Sequence, residues 1–589
     1  MKPYKHGLWL GCIALGIAVL PGCPPLDTTP TTTPEKPPPK LHIIIPKVNP
    51  KEVYQGEAVQ QISFTETETT DMTLSQVQGH SLFLIKVNTS PYRVSAAQTG
   101  YGVPRESFAS QTVASVPQGS LPLKTPRESG RFILGNQTIT RFDHSGAQAF
   151  ARNPPPVELK EPSHKENRYG AIQEPAFAAA SLGAAKTFWV EGMSGQWIQI
   201  PAVLRALSTH SKVWLADANY SDNPEQYRDN QLTQSQAEEM AEKFEAIYQY
   251  ETSLFGYEYG GGLPETDPRY GGVDKDPAVH ILVYDIDYDY SASQTSGVFG
   301  FFWAKDFYDQ SMLDSSQSKP KTNLGELFYL DAFFADAYPE AIYSTLAHEF
   351  QHMIHFNRKG LQEKQSSETW YDEMLSLLAE DVIAPKIGIL ADNEHHPIPS
   401  RIPTFLDNYN SAGITQWLSG DEVLISYANV YAFGAYLARN YGGADLIKAI
   451  MENKKANQAS LNEALLASAQ VSFAQALSRY GEVFIYSGEY KPEGTLSFDT
   501  SVTKKVYDYE YTFTKFDLWT IPDTFRGYDV IPYDYTGPLI WDGNYQFDMP
   551  GYSVIVQSLD EWQQVNTDTV QIRFQKPSEP KIELYLMIR

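Results

Sequence analysis

The spacing of apolar residues changes along the chain and predicts strands near both ends with helices in between. Residues 81–88, 569–574 and 581–586 have the apolar patterns of strands, whereas residues 340 to about 486 repeat at helical spacing. We therefore expect an α+β, multidomain protein. The expected parts are an N-terminal β domain (51–150), a proline-rich linker (151–186), a central domain (187–490) and a C-terminal β domain that forms a β-sandwich (491–589).

The central domain is predicted to begin with strands and to continue with helices. Strands are expected near residues 187–190, 211–217 and 280–285, and residues 323–332 also alternate as a strand does. A helix capped by Thr233 or Ser235 should precede the third of these strands. Its buried side would carry Met240, Phe244 and Ile247.

A second helix, beginning near Pro339, carries the segment His348-Glu349-Phe350-Gln351-His352. Positions i and i+4 lie on one helical face, so two neutral imidazoles there suit a zinc ion. Glu349 follows the first imidazole and is placed to act as a general base on a metal-bound water. Asn357 and Gly360 are expected to end the helix.

A third ligand is expected on the following helix, because a catalytic zinc usually keeps three protein ligands. Glu373 lies 25 residues after His348, which leaves room for a turn, and Trp370 and Met374 place it on an inward face. His355 is the alternative, but three ligands over two helical turns would spread about 10 Å. Glu380 and Asp381 would either orient a ligand histidine or lie on the surface.

These segments resemble the gluzincin metallopeptidases, most closely the hyicolysin-like neutral zinc peptidases, which read HE-[FY]-Q-H, then W-x-x-E and A-E-D. Asp372 stands where the family usually has asparagine. The resemblance implies a thermolysin-like body, a zinc ion on His348, His352 and Glu373, and peptide hydrolysis with Glu349 as general base. It also implies that residues 326–332 form an edge strand that pairs with substrate backbone.

Residues 427–443 are similar to the gluzincin aminopeptidase helix that starts with a catalytic tyrosine and ends at a glycine pair. By that resemblance Tyr427 would donate its phenol to the oxyanion of the tetrahedral intermediate. Tyr431, one turn on, competes for the role, and plain packing is the alternative for both. The chain has no G-x-M-E-N-like segment, so an aminopeptidase ranks below an endopeptidase.

The N-terminus is typical of an exported protein. Lys2 and Lys5 precede a 13-residue apolar stretch, too short to span a membrane comfortably. Residues 20–23 resemble a bacterial lipobox, so residues 1–22 would be a lipoprotein signal peptide and Cys23 the lipidated N-terminus. An incidental cysteine or an uncleaved anchor are the alternatives. Residues 23–50 form a proline- and threonine-rich spacer, so we expect a lipid-anchored protein of the cell envelope.

The amino-acid composition restricts the classes of molecule that the protein is expected to bind. The formal charge is −25, so nucleic acid and anionic membrane surfaces are poor partners, and only the lipid would reach a membrane. Cys12 and Cys23 are the only cysteines, which removes thiolate zinc sites. Asp285, Asp287 and Asp289 are a candidate Ca²⁺ site or simply an acidic loop. The expected substrate is a protein or peptide; the alternative function is a surface adhesin on the same scaffold.

Overall fold

The computed structural model describes residues 53–65, 67–104, 132–134, 137–139, 180–192, 195–223, 227–291, 297–314, 319–488, 491–521, 537–542, 548–559 and 565–589. Cys23 and the whole of the predicted signal peptide and spacer lie outside these residues. Within them, every helix is too short or too polar to cross a membrane.

The strands of the described residues are β1 (Val59–Gln61), β2 (Thr69–Ser75), β3 (Leu82–Asn88), β4 (Tyr101–Pro104), β5 (Phe132–Leu134), β6 (Gln137–Ile139), β7 (Ala185–Glu191), β8 (Trp197–Leu207), β9 (Ser211–Ala216), β10 (Val279–Tyr284), β11 (Gly300–Phe302), β12 (Leu327–Asp331), β13 (Val502–Val506), β14 (Tyr509–Phe513), β15 (Trp541–Asp542), β16 (Ser553–Ser558), β17 (Thr569–Gln575) and β18 (Ile582–Ile588).

The α-helices of the described residues are α1 (Gln234–Phe255), α2 (Gln310–Leu313), α3 (Ala332–Ala337), α4 (Pro339–His355), α5 (Thr369–Ile383), α6 (Pro397–Asn408), α7 (Val423–Tyr441), α8 (Ala444–Glu452), α9 (Asn457–Ala469), α10 (Phe473–Arg479) and α11 (Glu482–Ile485). The α+β class is therefore confirmed. The expected cap of α1 is also found, because the Thr233 side chain accepts from the backbone of Gln236.

A mixed six-stranded sheet, ordered β11–β12–β10–β9–β8–β7, supports the helices. Strands β9, β10 and β12 run parallel, and α1 makes the crossover between β9 and β10. Strand β12 is hydrogen-bonded on both sides, so the expectation that residues 326–332 form an edge is wrong. The edge is β11, a three-residue strand that folds back on β12 and is too short to show a pattern in the sequence.

Most strands near the two ends of the chain share two sheets, whereas β5–β6 and β13–β14 are separate two-stranded sheets. One of the two shared sheets is ordered β1–β18–β3–β16–β15 and the other β2–β17–β4. The central strand β3 has β16 on one side and β18 on the other. The two separate β domains expected from the sequence are thus replaced by sheets built from both ends. Strand pairing is non-local, so alternation along one segment does not reveal its partner.

Helix α5 packs against both α4 and α7, and these three helices hold the candidate site. Proline starts α4 as expected. The helical conformation does not end near Asn357, because a π-helical segment, Phe356–Gln362, follows α4 directly. Helix α7 approaches α5 closely at Gly434, where an added Cβ would lie 2.8 Å from Met374 and 3.1 Å from Leu378. Close contact of these two helices brings Tyr427 and Glu373 together.

Candidate metal centre

Helix α4 places the two imidazoles of the HExxH segment one turn apart; His348 is buried, and the side chain of His352 is 12% exposed. Their ring centroids are 4.8 Å apart. The Nε2 atom of His348 lies 3.1 Å, and that of His352 3.5 Å, from the same Oε2 of Glu373 on α5. One ligand atom from each of the three residues lies within 4.8 Å of the others. The structure thus brings the three predicted metal ligands together.

The opposite nitrogens of the two imidazoles face acceptors on α5. His348 Nδ1 lies 2.7 Å from Glu380 Oε1, and His352 Nδ1 lies 3.1 Å from Asp372 Oδ1 and 3.0 Å from Ser376 Oγ. These contacts assign the proton of each neutral ring to Nδ1 and leave the Nε2 lone pairs for a metal ion. Two imidazole nitrogens and one carboxylate oxygen, each oriented in this way, fit a zinc ion.

The charges of the centre compensate one another. Burial lowers the pKa of His348, but its hydrogen bonds with Glu373 and Glu380 outweigh burial and hold that pKa at about 9. Burial would raise the pKa of Glu373, but the charge of His352 and the hydrogen bonds of both imidazoles hold it well below its usual range. A bound divalent cation would replace the ring protons as the positive charge that balances these carboxylates.

Glu349 points from the same helix toward the edge of the sheet. Its Oε2 accepts a hydrogen bond of 2.7 Å from the backbone N–H of Phe302 in β11. The residue is 3% exposed, and burial raises its pKa, while the neighbouring imidazoles oppose that rise. The side chain is therefore a buried carboxylate fixed between the ligand helix and the edge strand, with a proton affinity higher than that of a surface glutamate.

Tyr427, at the start of α7, reaches the third ligand. Its hydroxyl donates to Glu373 Oε1 over 3.2 Å, and its ring meets Trp417 edge to face. Tyr431 is placed elsewhere: its hydroxyl donates to Asp381 Oδ2 over 3.1 Å. Of the two candidate tyrosines, only Tyr427 contacts one of the three predicted ligands in the described part of the chain.

The two acidic residues that end α5 have different partners. Glu380 is the orienting carboxylate on His348, and Ser344 donates to its other oxygen over 3.0 Å. Asp381 instead makes a buried, two-pronged ion pair with Arg439 of α7, with N–O distances of 2.9 and 3.2 Å. The sequence left open whether these residues are surface charges; both are buried.

The remaining sequence candidates lie apart from the three ligands. His355 Nε2 is 2.7 Å from Ser367 Oγ, and burial lowers its pKa to about 4, so it is a neutral packing residue. Asp285 accepts from the backbone of Tyr290 over 3.3 Å. In the described ranges, three histidine or acidic side chains bring ligand atoms within 4.8 Å of one another at the His348 group, and the aspartates at 285–289 do not form such a group.

Sequence reasoning missed the polar surroundings of the ligands. Ser376 Oγ contacts His352 Nδ1, and its hydroxyl donates to Gln351 Oε1 over 2.5 Å. The glutamine of the motif is thus linked to His352 through the serine hydroxyl. A depression beside His348 is lined by Phe299, Thr345, His395 and Arg401 among others. The helical spacing of four between Asp372, Ser376 and the predicted Glu380 was the available signal for Ser376.

A helix with two histidines one turn apart, a glutamate between them and a carboxylate on the next helix is an arrangement typical of metallopeptidase centres. Residues 212–485, which include every residue of this centre, match the Peptidase M30 family. A neutral metalloprotease, ShpI of Staphylococcus hyicus, is 27% identical over 308 residues, which is 50% of this chain. The chain spans 60% of that relative's length. The expected likeness to the hyicolysin-like metallopeptidases is confirmed.

Proposed function

We propose that the chain is a zinc-dependent endopeptidase in which His348, His352 and Glu373 hold the ion. The observation that carries the proposal is the convergence of two imidazole nitrogens and one carboxylate oxygen beside a buried glutamate. When bound, the ion would act as a Lewis acid and lower the pKa of a water from about 15.7 to near 7. The protein's own residues orient that water, move its proton and exclude bulk solvent.

Glu349 is the proposed general base. The hydrogen bond from Phe302 fixes one oxygen, and we assign proton transfer to the other. Glu349 takes the proton of the attacking water and passes it to the leaving amine, a role favoured by a pKa that burial raises. Tyr427 supports the oxyanion with its phenol, a contribution of about 2.7–4 kcal/mol for such a donor.

The substrate is proposed to bind as an extended peptide along β11. One side of this strand pairs with β12, from Gly300 opposite Leu330 to Phe302 opposite Phe328. The backbone of an added peptide would continue the sheet on the other side. The depression beside His348 adjoins this strand through Phe299 and is a suitable place for a substrate side chain.

The test is the replacement Glu349→Gln, with Glu340→Gln as the matched control. Glu340 is an exposed residue in the first turn of the same helix. We expect Glu349→Gln to retain one zinc ion per chain and to lose casein and gelatin hydrolysis, and the control to keep both. Activity retained in Glu349→Gln would exclude the mechanism. Zinc-free, inactive protein that binds matrix proteins would favour the adhesin alternative.

We further propose that the enzyme is exported and tethered through a lipid on Cys23, which rests on the sequence of residues 1–50 alone. A cell grown with a labelled fatty acid should incorporate the label into the parent protein but not into Cys23→Ala. The variant should also be found in the soluble fraction of the envelope. Equal labelling of both proteins would contradict the tether.

A further inference from the structure

Residues 256–278, between α1 and β10, contain six glycines and bury an acidic side chain, Glu258. A second one, Glu326, directly precedes β12, at the end of that strand opposite to α3 and α4. Each of these residues is only 3% exposed. They belong to different segments of the chain and have no part in the metal centre described above.

The two carboxylates lie where the turns of this loop cross. A side chain added at Gly261 would overlap the carboxylate of Glu258, and one added at Gly272 would overlap that of Glu326. One added at Gly260 would overlap the backbone nitrogen of Gly272, so the two turns touch. After burial itself, the negative charges of Asp274 and Glu258 help to raise the pKa of Glu326. The turns that hold the two glutamates therefore touch, and the charge of each carboxylate acts on the other in one buried, electronegative region.

Each glutamate has one satisfied oxygen. Tyr248 donates its hydroxyl to Glu258 Oε1 over 2.9 Å, and Val273 donates its backbone N–H to Glu326 Oε1 over 3.0 Å. The Oε2 atoms of both are buried and have no hydrogen-bond partner among the described residues. A buried carboxylate oxygen without a partner costs several kcal/mol, so such atoms normally face a cation or water.

The basic groups of this region are already paired. Lys212 lies 2.6 Å from Asp276, and His280 Nε2 lies 3.0 Å from Asp274. The other ring nitrogen of His280 accepts from the indole of Trp214 over 3.2 Å. The nitrogen atoms of these two residues are therefore already engaged, which favours a hard cation with oxygen ligands at the two Oε2 atoms.

We propose that the Oε2 atoms of Glu258 and Glu326 bind a calcium ion, a second metal site distinct from the zinc centre. Calcium takes six to eight oxygens, and backbone carbonyls of the glycine-rich loop and water would complete the set. The ion would tie the loop to the start of β12. Its place differs from the aspartates at 285–289 that the sequence suggested.

The test uses full-length protein carrying Glu349→Gln, which prevents self-digestion, stripped of divalent ions and reloaded with one equivalent of zinc. Millimolar calcium should raise Tm by about 2 °C or more. Terbium, a calcium substitute, should luminesce on excitation of aromatic rings, because Tyr248 contacts Glu258. Adding Glu326→Gln or Glu258→Gln should abolish both responses, and the matched control Asp287→Asn should keep them.

A parent protein whose Tm and terbium emission do not respond would overturn the site. So would a response that survives in both glutamine variants, or one that Asp287→Asn removes. A Tm that falls between pH 6 and 8 without any calcium effect would show that the two carboxyls share a proton instead. If the glutamine variants do not fold, Glu326→Asp keeps the charge and should still weaken calcium binding at least about tenfold.

Discussion

Removing the carboxylate of Glu380 should weaken zinc binding without touching a ligand. In the structure, Glu380 accepts from His348 Nδ1 over 2.7 Å and is 7% exposed. A hydrogen bond to a charged group contributes about 1.5–3 kcal/mol, or a factor of roughly 10–150 in affinity. Loss of such an orienting partner typically weakens metal binding about 10–100-fold. We expect that range for Glu380→Ala.

Glu380→Gln separates charge from hydrogen bonding. The amide oxygen can still accept from His348, and the amide nitrogen can face the Ser344 hydroxyl, which now donates to the carboxylate over 3.0 Å. The structure therefore predicts a smaller loss for glutamine, about tenfold or less, than for alanine. The surface variant Glu452→Gln, whose side chain is 55% exposed, is the control and should match the parent.

The assay is competition for zinc with a coloured chelator at fixed pH, with circular dichroism to confirm that each variant is folded. It measures affinity directly and does not depend on peptidase activity. If Glu380→Ala binds zinc within twofold of the parent, the short contact on His348 does not orient the ligand. If alanine and glutamine are equally weak, charge rather than hydrogen bonding carries the effect.

Three further variants test other contacts. Tyr427→Phe should keep its zinc and lower kcat about 100-fold if the phenol serves the oxyanion; a loss of zinc affinity alone would make it a positioning residue for Glu373. Glu251 is fully buried, and both of its oxygens have no hydrogen-bond partner among the described residues. Burial raises its pKa above that of the unfolded chain, so the folded state holds the proton more tightly. The parent protein therefore loses stability as pH rises above about 4.5. The Tm advantage of Glu251→Gln should therefore grow from pH 5 to 8, and a constant difference would contradict this. Gly434→Ala should destabilise by about 1–3 kcal/mol in urea unfolding, because its methyl group would press on Met374; an unchanged midpoint would show that α7 shifts freely.

Local periodicity was enough to predict the ligand helices. Apolar residues at helical spacing set the inward faces of α4 and α5, and those faces carry His348, His352 and Glu373. A stretch of 25 residues with one turn in it leaves few ways to pack, so the sequence favoured Glu373 over His355, the alternative that it left open. The role of Asp372 could not be predicted, because its close contact with His352 depends on how the two helices cross.

The pairing of strands that are distant in the sequence could not be predicted. Alternation in residues 81–88 predicted a strand but not that β16 and β18, more than 460 residues away, would be its neighbours. The edge position of β11 has the same cause, since a three-residue strand is recognised only from its partner β12. Buried acids such as Glu326 also escape prediction, because a carboxylate is expected at the surface unless its surroundings are known.

The two adjacent acidic residues near the end of helix α5 contact two different neighbouring helices. Successive residues on a helix point about 100° apart, so Glu380 and Asp381 reach different neighbours. Glu380 binds His348 of α4, whereas Asp381 binds Arg439 of α7. Because Glu373 also contacts the imidazoles of α4 and the phenol of α7, one helix fixes the distance between its two neighbours at both ends of the site. An ion bound between α4 and α5 would therefore enter a site whose ligands are already oriented, and little of its binding free energy would be spent on moving them.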